Sequence, residues 1–315
     1  MWDISVLKAY KFRIYPTNEQ KEFLIQTFGC VRFTYNTLLK HHQQSGGGKS
    51  KKLTPASLKK EFLFLKVTDS LALANAQQNL KRAFQNYYQG RSGYPKLKLK
   101  KSVWQSYTTN NQKQTIWLKD DLLKVPKLKQ PIAVHCHRPV TGQIKSATIM
   151  AKNGQQFFVS LLCEEQITPL PKTNVTTTLH FSPDQLVSGS DLVFFRTLCQ
   201  KNVENKLTKA KRKLEIKAKS AQQRGVKLSA AQNYQKQKVK VQQLYHHKQQ
   251  QKKAWMDELS LHLIKKYDFL YIKVPHNIQE GVFTLTDWQH FLVKLQYKAT
   301  WYDKKVIFAA AEKVI

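Results

Sequence analysis

The chain has 315 residues, 41% of them hydrophobic, with 53 Lys and Arg against 20 Asp and Glu, for a formal net charge of +33. That length allows two domains, or one domain with a large insertion, and the apolar share can build real cores. A folded chain with this cation surplus is built to sit on a polyanion. The charge is interleaved with 13 Tyr, 6 Trp and 16 Phe, which favours nucleic acid over a membrane surface. No basic amphipathic helix or lipidation signal supports the membrane class. No apolar run approaches the ~18 residues of a membrane span, and the N-terminus lacks a signal-peptide core, so a soluble, cytoplasmic protein is expected. Cys30, Cys136, Cys163 and Cys199 are widely spaced, as buried small hydrophobes are, rather than disulfides or metal ligands.

Residues 5–15, SVLKAYKFRIY, alternate and stop at Pro16, which predicts a strand. Thr17 or Asn18 then caps a helix in which Leu24, Phe28, Val31, Tyr35 and Leu38 form one apolar stripe. HHQQSGGGKSKK reads as a flexible basic loop whose KSKK run touches phosphate without specificity. Helical patterns resume over 55–65 and 71–88. From Tyr94 onward YPKLKLKK, SVWQSYTTNN, QTIWL, LLKVPKL, IAVHCH, IKSATIM and QQFFVSLLCEE are short, alternating and separated by turns, which predicts a β-barrel or a small curled sheet. In HCHR, strand alternation sets Cys136 on the opposite face from His135 and His137, which favours an ordinary strand over a zinc site. QITPLPKTN reads as a linker. VTTTLHFSPD reads as a strand over 175–181 running into a turn at Ser182 and Pro183. The polar stretch 190–266 reads as two helices turning near Gly225, with Leu192, Phe195, Leu198, Val203 and Leu207 on one side. FLYIKV follows as a buried strand, 287–301 as a helix and KKVIFAAA as a last strand. Strand, long crossover, strand, helix, strand is an α/β pattern.

KAYKFRIYPTNEQKEFLIQTFGCVRFTYNTLL resembles the N-terminus of the TnpB family, transposon-encoded RNA-guided nucleases related to type V CRISPR effectors. ALANAQQNLKRAFQNYYQGRSGYPKLKLKK is similar to that family's helical recognition segment where it enters the barrel. SYTTNNQKQTIWL and LKVPKLKQPIAV are similar to the barrel, and LTDWQHFLVKLQYKATWYDKKVI to the stretch before its zinc ribbon. The resemblance implies an α+β multidomain fold. Residues 1–16 supply the first barrel strand, 17–92 a helical recognition domain inserted in the barrel, and 93–170 the β-barrel (WED-like) domain. Residues 171–315 form a RuvC/RNase H-like α/β domain with a helical insertion over 190–266.

The departures from the family pattern concern chemistry. A RuvC-type site holds two Mg²⁺ ions about 4 Å apart on hard carboxylate ligands. In the family the first strand reads roughly G-[IV]-D-[LV]-G, a second core segment ends in Glu, and a third acidic residue follows the zinc ribbon. Here the first carboxylate falls on Thr178, its flanking glycines on Thr176 and His180, and the second carboxylate on Lys273 in FLYIKVPHN. A lysine places positive charge where cations belong. The sequence reaches Ile315 before any CxxC pair, so no zinc ribbon and no third ligand are expected. The resemblance therefore implies a degenerate, nuclease-dead relative that needs no metal cofactor. Such a relative keeps RNA-guided DNA binding and represses transcription by occupying its target. Its partners are a guide RNA and double-stranded target DNA, with no small-molecule substrate and no membrane. One alternative is a decayed transposon remnant with general RNA binding. Another is a nuclease using substitute carboxylates from Asp184, Asp191, Asp268 or Glu280, none of which reads as the inward centre of a strand.

Residues 201–253 hold 16 Lys and Arg against Glu204 and Glu215, too one-sided for pairing along helices. Lys209, Lys211, Arg212 and Lys213 are its candidates for guide-RNA contact. In GRSGYPKLKLKK, Lys96, Lys98 and Lys100 alternate on one strand face, Arg91 lies just before them and Tyr94 offers a stacking ring. A basic edge strand that resists aggregation is the plainer reading. For a short duplex motif beside the target, the positions matching the family's readers are Ser57, Lys59, Asn75, Gln78, Thr109 and Asn110. Their amides and hydroxyls suit base edges, although Thr109 and Asn110 also suit a turn. Ala74 stands where relatives can carry a polar residue.

Overall fold

The structure, a computed structural model, describes residues 3–44, 53–182, 186–189, 198–273 and 282–309. The chain divides into two units, Ser5–Gln166, and Ile167–Ile315 together with Met1–Ile4.

In the first unit, β1 (Ile4–Tyr15) buries Val6, Tyr10, Phe12 and Ile14 on one face, the period of a half-buried strand. Thr17 and Gln20 then exchange side-chain to backbone hydrogen bonds of 2.9 and 3.4 Å, a capping box that opens α1 (Asn18–Gln44). All five expected stripe residues of α1 are buried. Thr54 and Ser57 form a second capping box, with Pro55 in the first turn, at the start of α2 (Pro55–Glu61). Phe62 adopts an extended backbone (φ −108°, ψ 95°), so the single helix expected over 55–65 breaks into α2 and a 3₁₀ turn at Leu63–Val67. α3 (Ser70–Tyr88) follows. The strands after it are β2 (Trp104–Asn110), β3 (Trp117–Lys119), β4 (Leu122–Lys124), β5 (Ile132–His135), β6 (Gln143–Lys152) and β7 (Gln156–Ile167). With β1 they make one curled seven-stranded sheet in the order β2-β6-β7-β1-β5-β4-β3. Its inner face, including Tyr107, Ile149, Phe157, Val159 and Leu161, shares one core with the apolar stripes of α1 and α3.

The strand expected across Lys96, Lys98 and Lys100 does not form, and residues 91–103 contain no ladder. Lys98 N donates to Asn36 Oδ1 at 2.8 Å, and Asn36 Nδ2 donates back to Lys98 O at 3.0 Å. One side chain thereby satisfies both backbone groups that a neighbouring strand would take.

In the second unit, β8 (Thr176–Ser182), β9 (Leu186–Gly189), β10 (Phe269–Lys273) and β11 (Lys305–Ala309) form a four-stranded sheet ordered β11-β10-β8-β9. β10 runs parallel to β8 and to β11, and β9 antiparallel to β8. α4 (Lys201–Gln223) and α5 (Gln232–Lys266) are the two expected helices, turning at Gly225 with φ +65°. Leu207, Ala210 and Val241 form a small core between them. α6 (Leu285–Trp301) opens on a capping box of Thr284 and Asp287. Leu179, Leu270 and Ile272 pack with Leu259, Leu263, Trp288 and Phe291 of α5 and α6. β10 is therefore buried on one face only, and Tyr271 on its other face is 38% exposed. Leu192, Phe195 and the KSKK run lie outside the described residues.

Candidate functional site

The ladder of the four-stranded sheet fixes which side chains meet. Thr176 lies opposite Phe269, Thr178 opposite Tyr271 and His180 opposite Lys273. β11 sets Lys305 beside Phe269 and Ile307 beside Tyr271. Since Thr177, Leu179, Leu270 and Ile272 are buried, alternation places all of these on the opposite face. Thr178 and Lys273 thus share one face on neighbouring strands, offset by two pairs along the ladder. No residue named on that face is a carboxylate. Among the described residues, no three His, Cys, Asp or Glu side chains gather as a group that could hold a metal ion.

Asp268, one of the substitute carboxylates considered above, holds the sheet together instead. Its Oδ2 accepts from the backbone N–H groups of Thr173 and Asn174 at 2.9 and 2.7 Å, and its Oδ1 pairs with buried Lys304. Lys304 also donates to Pro171 O at 2.8 Å. Burial pushes the Asp268 carboxyl up, but the Lys304 hydrogen bond, the two amides and the Lys304 charge outweigh it and hold it at about 2. The other three substitutes, Asp184, Asp191 and Glu280, lie outside the described residues.

In the first unit, α2 and α3 line an open groove of about 1040 Å³. Lys59, Lys60, Lys66 and Lys127 supply its charge, Ser70 and Gln77 its polar groups, and Leu71, Leu73 and Ala74 its apolar part. Lys59 Nζ donates to Ser70 Oγ at 2.9 Å and to Thr68 O at 3.3 Å. Ser57 is exposed, but its hydroxyl accepts from Thr54 N at 3.0 Å and donates to Thr54 O at 2.8 Å, closing the α2 cap. Asn75 Nδ2 donates to Leu71 O at 2.9 Å and to Asn110 Oδ1 at 3.4 Å, so these two amides meet across α3 and β2. Thr109 is fully buried, and its hydroxyl donates to Asp69 at the start of α3. It anchors that helix and presents nothing to solvent. Gln78 is exposed outside the groove, and Gln77 lines it. Gln77 stands three residues after Ala74, so helical spacing could have found it. Lys127 comes from the turn after β4, and no local pattern announces it.

Arg91, Lys96 and Lys100 are exposed, as is Tyr94 at 40%. The Tyr94 ring lies edge-on to Phe84 and Tyr87, with centroids 5.6 and 5.2 Å away. Lys98 turns back to place Nζ 4.3 Å from the centre of the Tyr35 ring. Beside it runs a second groove, of about 490 Å³, lined in part by Arg32, Lys98, Lys101 and Trp104.

On α4, Lys209, Lys211, Arg212 and Lys213 are all exposed, and Lys211 lies over the Tyr245 ring at 5.1 Å. Two other cations of the basic stretch have structural partners. Lys248 pairs with Glu204 at 2.7 Å, and buried Lys252 pairs at 2.8 Å with Asp287, which caps α6.

A family model described as a helix-turn-helix domain (HTH_OrfB_IS605) matches residues 1–45. In this structure the described part of that stretch is one strand followed by one helix, β1 and α1. A protein of Streptomyces pristinaespiralis, named for RNA-guided DNA endonuclease activity, is 27% identical over 324 residues, covering 96% of this chain and 77% of that protein. The RNA-guided DNA endonuclease InsQ of Escherichia coli K12 is 25% identical over 251 residues, covering 76% of this chain, which spans 59% of InsQ. In fold, the chain is similar to a solved cryo-EM structure of a Cas12f1–sgRNA–target DNA complex, with a TM-score of 0.57 at 10% identity over 96% of this chain and 88% of that one. That likeness concerns the fold alone. No helix among the described residues is long and apolar enough to cross a membrane. Along nearly its whole length the chain is thus similar in sequence to proteins named as RNA-guided DNA endonucleases, and in fold to Cas12f1.

Proposed function

We propose that the chain carries a guide RNA, binds the complementary DNA beside a short duplex motif without cutting it, and represses transcription by occupancy. The observation that carries the proposal is the shared face of Thr178 and Lys273. By the family pattern these are the first two metal-ligand positions of a RuvC-like sheet, and the parallel β8, β10 and β11 with an antiparallel β9 suit such a sheet. A pair of Mg²⁺ ions needs hard, anionic oxygens. A neutral hydroxyl and an ammonium do not fit them. Residues 171–315 are then an inactive RuvC-like domain whose sheet is a scaffold, and 17–92 with 93–170 form the recognition helices and WED-like barrel.

For the duplex motif, the Lys59 groove with Gln77 and the neighbouring Asn75 and Asn110 amides present the amide and ammonium donors that read base edges. Ser57 supports this surface by closing the α2 cap, and buried Thr109 by anchoring the start of α3. For the guide, the exposed cations at Arg91, Lys96, Lys100 and on α4 give phosphate contacts. A protein of this kind works in the bacterial cytoplasm, on the nucleoid.

The test has two arms. The RNA that co-purifies with the protein is sequenced, and one defined RNA whose 3′ segment matches a chromosomal promoter is expected. The loaded complex is then incubated with that DNA and Mg²⁺, where stable binding with intact DNA is expected. Guide-dependent cleavage overturns the loss of nuclease function, in line with the names of the relatives. A heterogeneous RNA population overturns guided binding and favours a remnant with general RNA affinity.

A further inference from the structure

The outer face of the seven-stranded sheet carries a feature that the guided-binding surfaces leave unused. Three consecutive ladder rows run Trp104, Lys152, Gln156; then Ser106, Met150, Phe158; then Thr108, Thr148, Ser160. All face away from the core that Tyr107, Ile149 and Val159 occupy. The Trp104 and Phe158 rings lie 5.8 Å apart, and Trp104 is 45% exposed. Lys11 Nζ sits 5.4 Å from the Trp104 centroid and 5.1 Å from that of Phe158. Lys152 approaches Trp104 at 5.8 Å, and the Arg13 guanidinium approaches Phe158 at 4.9 Å. Arg13 Nε makes no hydrogen bond. No acidic side chain lies in these three rows.

We propose that this face is a stacking platform for an unpaired stretch of RNA. One base lies on Trp104, its neighbour reaches Phe158, and Lys11, Arg13 and Lys152 meet the flanking phosphates. An exposed Trp104 ring beside a partly buried Phe158 ring, with cations around both and no acid in the three rows, matches the chemistry of single-strand binding, in which bases stack and phosphates find positive charge. A duplex keeps its bases stacked on each other and has no use for the rings. The third row favours RNA over DNA. The Thr108 and Thr148 hydroxyls lie 2.8 Å apart with Ser160 next in the ladder, and such a hydroxyl row can give and accept hydrogen bonds with a 2′-OH. Trp104 also lines the groove of Arg32, Lys98 and Lys101, so a strand leaving the platform meets further cations. The proposal rests on the guided function above only in naming that RNA as part of a guide.

The probe is a short, unstructured, fluorescently labelled oligoribonucleotide, bound to the full chain at salt high enough to screen loose phosphate contacts. W104A is expected to weaken binding about tenfold, the usual effect of losing one stacking ring. W104F should bind within about twofold of the parent, because a ring remains, while tryptophan quenching on binding falls. K11A, which exposes no core, should lower the salt slope by about 0.7, one phosphate contact on a single strand. The DNA oligonucleotide of the same sequence should bind more weakly, and T148V should narrow that gap. Unchanged RNA affinity in W104A overturns the proposal, as does equal loss for RNA, DNA strand and duplex. The assay needs neither guide nor target. A platform that stacks the probe in a protein carrying no defined RNA therefore sinks guided binding and keeps the platform; the reverse result sinks only the platform.

Discussion

Gly142 shows how one position can decide a unit. Its backbone has φ +82°, and an added Cβ would stand 2.2 Å from Glu164 O and 2.6 Å from Glu165 Cγ. Glu165 cannot give way freely, because its buried carboxylate pairs with Lys8 at 3.0 Å and accepts from the Tyr10 hydroxyl. Gly142→Ala should therefore cost roughly 2–4 kcal/mol in denaturant unfolding, and a loss under about 0.5 kcal/mol would contradict that. Asp268 makes a different kind of claim, one about pH. Its carboxyl sits at about 2 in the fold against 3.8 for the free side chain. On acidification the unfolded chain takes the proton first. The stability that Asp268 contributes is thus complete above about pH 4 and is lost as pH falls toward 2. Asp268→Asn should remove that part of the acid dependence. It should also lower stability near neutral pH by roughly 3 kcal/mol, since Lys304 stays buried without its counter-charge.

At the scale of elements, the α4–α5 hairpin separates a buried, paired cation from exposed ones. Lys209, Lys211, Arg212 and Lys213 are exposed, whereas Lys252 is buried against Asp287. Replacing the four exposed residues by alanine should leave the melting temperature nearly unchanged. It should reduce the salt dependence of RNA binding by up to about 0.7 per residue that met a phosphate. Lys252→Ala should do the opposite, destabilising the unit with little change in salt slope. A common effect of both variants on stability would show that the exposed cations are structural too. The sequence made this hairpin legible because its apolar spacing and Gly225 are local signals. It also made legible the strip of α1, whose five stripe residues are all buried. Where the deciding partner lay far along the chain, the pattern misled. Lys96, Lys98 and Lys100 alternate like a strand, but Asn36, 62 residues from Lys98, takes the backbone bonds a strand would need. β9 escaped notice because a strand of four residues, LVSG, carries too little alternation to register. The face shared by Thr178 and Lys273 follows from period two, yet only the register of β8 on β10 shows that they are two pairs apart. The inward turn of the Thr109 side chain depends on Asp69, 40 residues away, which no local pattern announces.

For the whole molecule, the cores decide how the chain comes apart. The large cluster that runs from Tyr10 to Cys163 belongs entirely to Ser5–Gln166. The clusters around Leu263 and around Val241 belong entirely to the other unit. A unit with its own core has the means to unfold on its own, and a chain of two such units need not melt as one. Calorimetry of the RNA-free protein should therefore resolve two transitions. Gly142→Ala should lower only one of them and Asp268→Asn only the other, because each strains or unpairs residues inside a single core. Bound RNA should raise the transition that Gly142→Ala lowers if the strand lies on the Trp104 platform, because a ligand stabilises the unit that folds its site. One transition displaced by both variants would mean that the units unfold together, and the variants would then report on the whole chain.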